Sequence, residues 1–447
     1  MAQSAPERAI KSLLDTDLYK LTMQAAVLDH HPDIVVSYTF RNRTPEKKLN
    51  KEAFDWVSEQ VKLLGSLAFT KDELTYLRSN VKQLPGRYLA FLETFRLNPD
   101  KQVFLSYNPA TQETSARIEG LWVETILYEI PLLALISEAY FKFVDTDWDY
   151  SGQEARAEEK ALELLSFGCA FSEFGTRRRR SFKAQEIVMR GLVAGDVKYQ
   201  SSSDANVSAG LKGTSNVYFA WKFGILPIGT VAHEWIMGIA AITQDYSNAN
   251  LLAMEQWRST MGDRNVGVAL TDTFGTDAFL KVFTPKLASI YSGVRQDSGD
   301  PLVFLEKVAR FYDEKGIDKS KKVIVFSDSL DVESCKKYKA ATDKAGMLCS
   351  FGVGTFFTSE RLPHPLAPHK KSTPLNIVVK LASANGNPAV KISDNLGKNM
   401  GDKATVQRVK EELGYVERNW AGGDEDKRWQ DPSAAAAAAA ESGAVAR

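Results

Sequence analysis

Phe351-Gly-Val-Gly-Thr355 ends an apolar run near the close of a segment, residues 151–357, in which short apolar runs alternate with helical patterns. Two earlier polar loops of that segment, Arg295-Gln-Asp-Ser-Gly-Asp300 and Phe326-Ser-Asp-Ser329, follow or end similar runs. The alternation favours parallel strands with crossover helices. Loops that follow such strands meet at one mouth of a barrel, and these carry an arginine, carboxylates and small residues. The segment therefore predicts a site for a phosphorylated sugar.

The individual elements are predicted from hydrophobic spacing. Residues 323–326 read as a strand, and 301–312 and 332–342 read as helices with apolar positions three and four residues apart. A further strand is predicted over 228–232, and Lys212-Gly-Thr-Ser-Asn216 is predicted to be a turn before a helix.

The sequence on either side of this segment predicts a second domain. Residues 1–145 mix helix and strand patterns, and two antiparallel strands are predicted over 376–381 and 388–392, joined at Asn385-Gly386. We therefore expect an N-terminal α+β domain, residues 1–145 completed by 358–425, and an α/β barrel catalytic domain over 146–357. The alanine-rich tail, residues 426–447, is predicted to be disordered.

Composition narrows the classes of partner. The 56 basic and 56 acidic residues balance, so no global field attracts nucleic acid or an anionic membrane, and a small-molecule partner is expected. The three cysteines have no paired or metal-type spacing, which is typical of a reducing compartment. No signal peptide core and no run of about 20 uncharged apolar residues is present. We expect a soluble, cytoplasmic protein, with a nuclear pool left open.

Glu173-Phe-Gly-Thr-Arg-Arg-Arg-Arg180 follows a short apolar run and so lies where a strand ends. Phe174 offers a flat face for a heteroaromatic ring, and Arg177 and Arg178 can bind a carboxylate or phosphate. The competing interpretation, with about equal weight, is that the arginines form a solvated helix face or a basic sorting patch.

His233 follows the predicted strand over 228–232, a position from which it can act as acid, base or nucleophile, with Glu234 orienting it. A histidine that satisfies its ring nitrogens at a helix start is an equally weighted alternative. In the turn at Lys212–Asn216, backbone amides and hydroxyls could bind an anionic group, although a helix N-cap formed by Ser215 or Asn216 is the commoner role of such a turn.

The three loops of the opening paragraph carry the remaining candidates. Arg295 suits a phosphate, and Asp297 and Asp300 suit Mg²⁺ or ribose hydroxyls; the alternative is a capped helix start at Asp300-Pro301. The glycine pair before Thr355 matches the phosphate site that many barrels place after a late strand.

Jointly, these motifs closely resemble those of the nicotinate phosphoribosyltransferase family, in its fungal type. The match runs in order from about residue 13 to 415 over Asp17-Leu-Tyr-Lys-Leu-Thr-Met23, Glu173-Phe-Gly-Thr-Arg177, Gly213-Thr-Ser-Asn216, His233-Glu-Trp235, Arg295-Gln-Asp-Ser-Gly-Asp-Pro301 and Phe351-Gly-Val-Gly-Thr355. The resemblance implies an irregular α/β barrel, like that of type II phosphoribosyltransferases, with a second α+β domain built from the N- and C-terminal segments. It also implies a homodimer with shared active sites.

The implied reaction joins nicotinate and phosphoribosyl pyrophosphate into nicotinate mononucleotide and pyrophosphate, in NAD salvage. ATP and Mg²⁺ are the implied cofactors, with ATP hydrolysis coupled through a phosphorylated histidine. By motif position His233 takes that role, Arg295 lies near base and phosphates, and Asp297 lies near the ribose. The resemblance assigns no residue as a metal ligand.

The resemblance also implies the substrate-binding residues. Phe174 and a partner-subunit tyrosine that matches Tyr19 would sandwich the pyridine ring, and Arg177 would lie near its carboxylate. Gly352, Gly354 and Thr355 would hold the 5′-phosphate. The remaining assignments to substrate binding are Thr214, Ser215 and Asp328.

Ser215 carries the expected choice between acid and amide. The related nicotinamide enzyme has an aspartate at this position, whereas a neutral serine can donate to nicotinate's carboxylate. The alternatives are therefore a nicotinamide phosphoribosyltransferase and, in another class, a non-catalytic protein that binds phosphoribosyl ligands. An aldolase-type barrel, with Lys212 as its Schiff-base lysine, ranks lowest.

Overall fold

The computed structural model describes residues 7–229, 231–359, 373–395, 398–416 and Trp420. Its strands are β1 Val35–Asn42, β2 Val103–Asn108, β3 Glu113–Leu121, β4 Ala170–Glu173, β5 Gly210–Thr214, β6 Val268–Leu270, β7 Gly293–Gln296, β8 Val323–Phe326, β9 Leu348–Val353, β10 Ile377–Ala384 and β11 Asn387–Pro388. They form two sheets, and the predicted tail, 426–447, lies outside the described residues.

The helices fall around and between these sheets. They are α1 Leu18–His30, α2 Lys51–Leu63, α3 Lys71–Asn80, α4 Gly86–Thr94, α5 Pro99–Gln102, α6 Trp122–Thr125, α7 Glu129–Phe143, α8 Gln153–Ser166, α9 Phe182–Gln200, α10 Val217–Phe223, α11 His233–Thr243, α12 Ala249–Met261, α13 Thr276–Val282, α14 Pro285–Ile290, α15 Pro301–Glu314, α16 Val332–Lys344, α17 Thr355–Thr358 and α18 Lys403–Leu413. Within the described ranges, none of these helices has the length and apolar character needed to cross a membrane.

The first sheet joins the two ends of the chain. Its order is β11-β10-β1-β3-β2, with antiparallel pairing throughout. Tyr38 on the central strand β1 lies opposite Ile118 on β3 and Leu381 on β10, and all three side chains are buried. The C-terminal strand β10 therefore packs on the first region, as predicted, while the exact domain boundaries stay a prediction.

The second sheet is the parallel one that the alternating pattern predicts. Its order is β5-β4-β9-β8-β7-β6, and every pair is parallel. Helices α8, α9, α15 and α16 connect or flank its strands. The mixed α/β class and the barrel with a second α+β domain are thus confirmed.

Two predicted elements on this sheet are wrong, and both lie where residues 226–228 run beside β5. The predicted strand over 228–232 does not form in its described residues, whereas Gly210–Thr214, predicted in part as a turn, is β5. Residues 226–228 touch β5 through only two backbone hydrogen bonds, Thr214 to Leu226 and Ile228 to Thr214. This contact is an isolated parallel bridge between Thr214 and Pro227 that does not extend into a ladder, so the barrel is irregular at this point.

The predicted C-terminal strand over 388–392 is also largely wrong. Asn387 and Pro388 pair with β10, and Ala389 donates its N–H to the Ala382 carbonyl at 2.9 Å. The chain then turns away, and Ile392 donates its N–H to the Thr273 carbonyl at 2.9 Å. This departure carries Lys391 from the first sheet toward the loop after β6. The carboxyl ends of β4 to β9 consequently face residues 376–395 and 398–400.

Candidate active site

A cavity of about 610 Å³ lies where the carboxyl ends of the parallel strands face β10. Eleven of the twelve site residues predicted from sequence line it: Tyr19, Phe174, Arg177, Ser215, His233, Arg295, Asp297, Asp328, Gly352, Gly354 and Thr355. Thr214 is not among the residues described as lining it. Its buried hydroxyl donates to Glu173 Oε2 at 2.6 Å and so holds the end of β4, and the assignment of Thr214 to substrate binding stays a prediction.

His233 begins α11 and lies in a charged cluster. Its Nδ1 is 3.0 Å from Thr273 Oγ1, and its Nε2 is 2.9 Å from both Asp297 Oδ2 and Lys391 Nζ. Asp272 Oδ1 lies 3.6 Å from the same Nε2. The cluster gathers the loops after β6 and β7 and the segment after β11 around one imidazole.

Glu234 does not orient His233, contrary to the prediction. Its carboxylate accepts hydrogen bonds from Tyr38 at 2.6 Å and Trp122 at 2.8 Å and pairs with Lys20. Thr273 and Asp297, which hold opposite sides of the ring, orient the histidine instead.

The electrostatics of the cluster favour a neutral histidine beside an ionised carboxylate. Burial, and then the Lys391 ammonium, lower the pKa of His233 and outweigh the two aspartates. Burial raises the pKa of Asp297, but Arg295, His233 and Lys391 together hold it well below its usual range. Arg295 reaches Asp297 Oδ1 at 3.0 Å. A neutral imidazole nitrogen is the form that can act as a nucleophile.

Sequence reasoning missed Lys391, Asp272 and Thr273. Thr271-Asp-Thr273 directly follows β6, as the recognised loops follow their strands, so the same rule could have found it. Lys391 gave a weaker signal, a single lysine inside the apolar stretch Ala389-Val-Lys-Ile392. It is almost fully buried and pairs with Asp272 Oδ2 at 3.3 Å.

The aromatic end of the cavity contains Phe174 and Tyr19 of one chain. The Tyr19 hydroxyl lies 3.4 Å from Glu129 Oε2, and Arg177 lies 3.6 Å from Glu129 Oε1. The expectation that a partner subunit supplies this tyrosine stays a prediction, and within one chain Tyr19 already lines the cavity. Phe174 packs closely over Gly352, where an added Cβ would lie 2.3 Å from the ring.

A buried lysine organises the wall behind Tyr19, and the sequence gave no sign of it. Lys20 is fully buried and pairs with Glu129 Oε2 at 2.6 Å and with Glu234. Glu129 and Glu234 thus share one ammonium group, which compensates part of the negative charge beside the aromatic end.

The arginine run divides into two functions. Arg177 and Arg178 line the cavity, whereas Arg179 and Arg180 are fully buried. Arg179 makes a bidentate ion pair with Asp15 at 2.7 Å, and Arg180 donates to the Ser359 carbonyl and packs on Phe141. The interpretation as a solvated face or sorting patch is wrong.

The other end of the cavity is cationic. Arg43, Lys380, Lys391 and Lys398, which we call the cationic wall, line it from β1, β10 and the segment after β11. Burial, Lys391 and Arg43 hold the pKa of Lys380 well below its usual range. Such a concentration of cations favours a polyanionic ligand.

One predicted phosphate loop contacts the cationic wall, because Asp328 pairs with Lys398 at 2.6 Å. Gly352, Gly354 and Thr355 line the cavity at and just after the end of β9. Asp300, by contrast, caps α15 by accepting from Leu302 N at 2.8 Å, so the structural alternative holds for it. Lys212 is exposed on β5 and is not a residue described as lining the cavity, which removes the basis of the aldolase reading.

Comparisons with known proteins agree with this geometry. The model of the nicotinate phosphoribosyltransferase (NAPRTase) family matches residues 169–417, and the model of the NAPRTase N-terminal domain matches residues 14–137. Nicotinate phosphoribosyltransferase from Saccharomyces cerevisiae is 51% identical over 431 residues, which cover 95% of this chain and 99% of the relative.

Solved structures give the same result. A crystal structure of a Saccharomyces cerevisiae protein superposes with a TM-score of 0.88 at 50% identity, covering 92% of this chain and 100% of that one. Nicotinate phosphoribosyltransferase from Porphyromonas gingivalis superposes with a TM-score of 0.81 at 33% identity, covering 91% and 100%. With the domain order, the cavity and both family models in agreement, the chain belongs to the nicotinate phosphoribosyltransferase family.

Proposed function

We propose that this protein forms nicotinate mononucleotide and pyrophosphate from nicotinate and phosphoribosyl pyrophosphate, as a step of NAD salvage, and couples the reaction to ATP hydrolysis through His233. The carrying observation is that one cavity holds an aromatic end, a half-buried histidine whose pKa its surroundings lower, and a cationic wall. These three parts suit a pyridine ring, a phosphoryl acceptor and a diphosphate respectively.

The aromatic end would bind the base. Phe174 and Tyr19 offer ring faces, and Arg177 lies beside them as a cation for the carboxylate. Holding the ring between side chains fixes the direction in which its nitrogen approaches the ribose, which is the main contribution that positioning can make.

Asp297 would act at the ribose. Loss of pyrophosphate develops positive charge on the anomeric carbon, and an ionised carboxylate nearby stabilises that charge. Arg295 keeps Asp297 ionised and is itself positioned by the Val231 carbonyl at 3.2 Å. The cationic wall would hold the leaving pyrophosphate, while Gly352, Gly354 and Thr355 would hold the 5′-phosphate.

His233 would accept the γ-phosphoryl group of ATP. A ring nitrogen forms the N–P bond as the bond from phosphorus to the ADP oxygen breaks, and water later hydrolyses the N–P bond to release phosphate. Phosphorylation would add negative charge between Asp297 and Lys391, so binding of the diphosphate would depend on the state of the histidine.

The donor set also fits Mg²⁺, which prefers oxygen ligands. One ligand atom from each of His233, Asp272 and Asp297 lies within 4.8 Å of the others, and Asp272 Oδ1 accepts no hydrogen bond from the described residues. Asp272 and Asp297 would hold the ion. When bound, Mg²⁺ would neutralise charge on the diphosphate and assist its departure.

Incubation of the purified protein with nicotinate, phosphoribosyl pyrophosphate and Mg²⁺, with and without ATP, tests the proposal. We expect pyrophosphate and nicotinate mononucleotide from the wild-type protein, with strong stimulation by ATP that His233→Ala abolishes. His30→Ala is the matched control, because His30 contacts the Gln256 carbonyl and is not described as lining the cavity. Binding of phosphoribosyl pyrophosphate without pyrophosphate release would instead identify a non-catalytic binding protein.

A further inference from the structure

The Ser215 hydroxyl is not free to serve the substrate as the sequence suggested. It donates to Asp17 Oδ1 at 2.8 Å, and both residues are almost fully buried and line the aromatic end of the cavity. The Leu18 N–H donates to the Ser215 carbonyl at 2.8 Å, and Asp17 forms a backbone bridge with Asn216, so the two side chains are held together.

One proton decides what this pair offers to a ligand. When Asp17 is ionised, Ser215 must donate to it, and the serine oxygen presents only lone pairs to the cavity, which suit an amide N–H. When Asp17 is protonated, it can donate to Ser215, whose own hydrogen then turns toward the cavity and suits a carboxylate.

We propose that Asp17 is a specificity-determining residue: the Asp17–Ser215 pair takes up one proton when nicotinate binds and thereby becomes a hydrogen-bond donor to the substrate carboxylate. The inference rests on the proposed function, since it concerns the base bound at the same site. It replaces the simpler explanation that a neutral serine alone selects the acid.

The charges around Asp17 allow its carboxylate to take up this proton. Arg177 is the cation that faces Asp17, but it lies 3.6 Å from Glu129 and shares its charge with that carboxylate. Tyr19 on α1 and Glu173 on β4 also face Asp17. A substrate carboxylate beside ionised Asp17 and Glu129 would be a third anion at a site where Glu129 already shares the Lys20 ammonium with Glu234, and protonation of Asp17 removes one of the three.

Titration of the pair has a defined sign. Burial raises the pKa of Asp17 and Glu129 raises it further, against the lowering effects of Arg177, Ser215 and Thr176. A bound nicotinate anion would raise this pKa again. Nicotinate should therefore bind more tightly at low pH, with its KM rising by up to about tenfold per pH unit above the pKa of Asp17 in the free enzyme. The neutral nicotinamide should not show this rise.

The first measurement needs no turnover. Calorimetric titration of nicotinate into the wild-type protein, in buffers of different ionisation enthalpy above the pKa of Asp17, should show uptake of close to one proton. Asp17→Asn, which keeps a hydrogen-bond donor but cannot titrate, should abolish the uptake. Asp33→Asn, at an exposed position outside the cavity, is the control and should leave it unchanged.

Kinetics give the second measurement. The ratio of kcat/KM for nicotinate to that for nicotinamide should fall with rising pH in the wild-type enzyme and become flat in Asp17→Asn. Ser215→Ala should remove the preference for nicotinate, and Ser215→Thr, which restores the hydroxyl, should recover it. Absence of proton uptake in the wild-type protein, or a pH-independent nicotinate KM, would overturn the inference. Failure of the wild-type protein to turn over nicotinate despite proton-linked binding would overturn the proposed function alone.

Discussion

Glu173 is a buried carboxyl group directly beneath the aromatic end of the cavity. It accepts hydrogen bonds from Gln185 at 3.1 Å and Thr214 at 2.6 Å, and from Gly175 N, yet burial outweighs these contacts and raises its pKa to about 7. The folded protein therefore holds this proton more tightly than the unfolded chain does.

Glu173→Gln should change how stability depends on pH. Because the folded-state pKa of about 7 exceeds the ordinary value of 4.5, the stabilisation from this proton is present below pH 4.5 and is lost as pH rises through 7. Glu173→Gln has no such proton to lose. Between the acid and the alkaline end of this pH range, its free energy of unfolding should therefore rise by about 3 kcal/mol relative to that of the wild type. Urea unfolding at both ends measures this, with Glu93→Gln, exposed on α4, as the control. A pH-independent difference would contradict the prediction.

At the residue scale, the sequence predicted the side chains that follow strands and missed those that approach from elsewhere. Phe174, Asp297 and Gly352 are found where the strand-end rule places them. Lys391 comes from the C-terminal segment, 158 residues after its contact His233, and no local pattern encodes such a distance. The roles of all these residues stay predictions until variants are measured.

At the scale of elements, the contact between β9 and the loop after β4 shapes the base site. A Cβ added at Gly352 would lie 2.3 Å from Phe174 Cε2, so the aromatic ring rests where only a glycine leaves space. Other glycines carry no such requirement: at Gly86, at the start of α4, an added Cβ meets no atom within 4 Å.

Gly352→Ala should therefore displace the Phe174 ring and weaken nicotinate binding. Loss of a well-placed aromatic contact costs about 0.5–1.5 kcal/mol, which corresponds to a dissociation constant about 2- to 10-fold higher. Calorimetric titration of nicotinate in the absence of phosphoribosyl pyrophosphate isolates this effect from any change at the 5′-phosphate. Gly86→Ala should leave the constant unchanged, and an unchanged constant for Gly352→Ala would refute the packing argument.

Hydrophobic spacing predicted the elements well where the whole run is buried or amphipathic. The helices predicted over 301–312 and 332–342 are α15 and α16, each within about two residues at its ends, as is usual for periodicity. The prediction over 228–232 failed because the chain makes only an isolated bridge to β5 at Pro227, and the prediction over 388–392 failed because its second half leaves the sheet. Both failed predictions lie beside the cavity, where contacts with distant parts of the chain override the local sequence preference for a strand.

At the scale of the whole molecule, the two sheets bring the chain ends to one cavity. β10 pairs with β1 across more than 300 residues of sequence and contributes Lys380 to the cationic wall. The class of fold followed from strand and helix alternation. The sequence predicted that the C-terminal strands complete the first domain but not which strand β10 pairs with, because register between distant strands depends on tertiary packing and not on local periodicity.

Assembly is a property of the whole molecule that no contact within one chain decides. The resemblance implies a homodimer whose sites share a tyrosine, and within one chain Tyr19 and His233 line the same cavity. A dimer itself stays a prediction. Sedimentation measured across a range of protein concentrations would test for the dimer. Whether the sites are shared is a separate question.

Mixing two inactive variants tests the sharing of sites. Tyr19→Ala should lose the base contact and His233→Ala the ATP coupling, so each should lose most ATP-stimulated activity. If sites were shared across a two-fold dimer, subunits exchanged at random would rebuild intact sites and restore up to about a quarter of the wild-type rate. Because both side chains lie in one chain's cavity, we expect no recovery after mixing and subunit exchange. A mixture of wild type and His233→Ala, whose activity should scale with the wild-type fraction, is the control; recovery in the mutant mixture would show that Tyr19 acts across subunits.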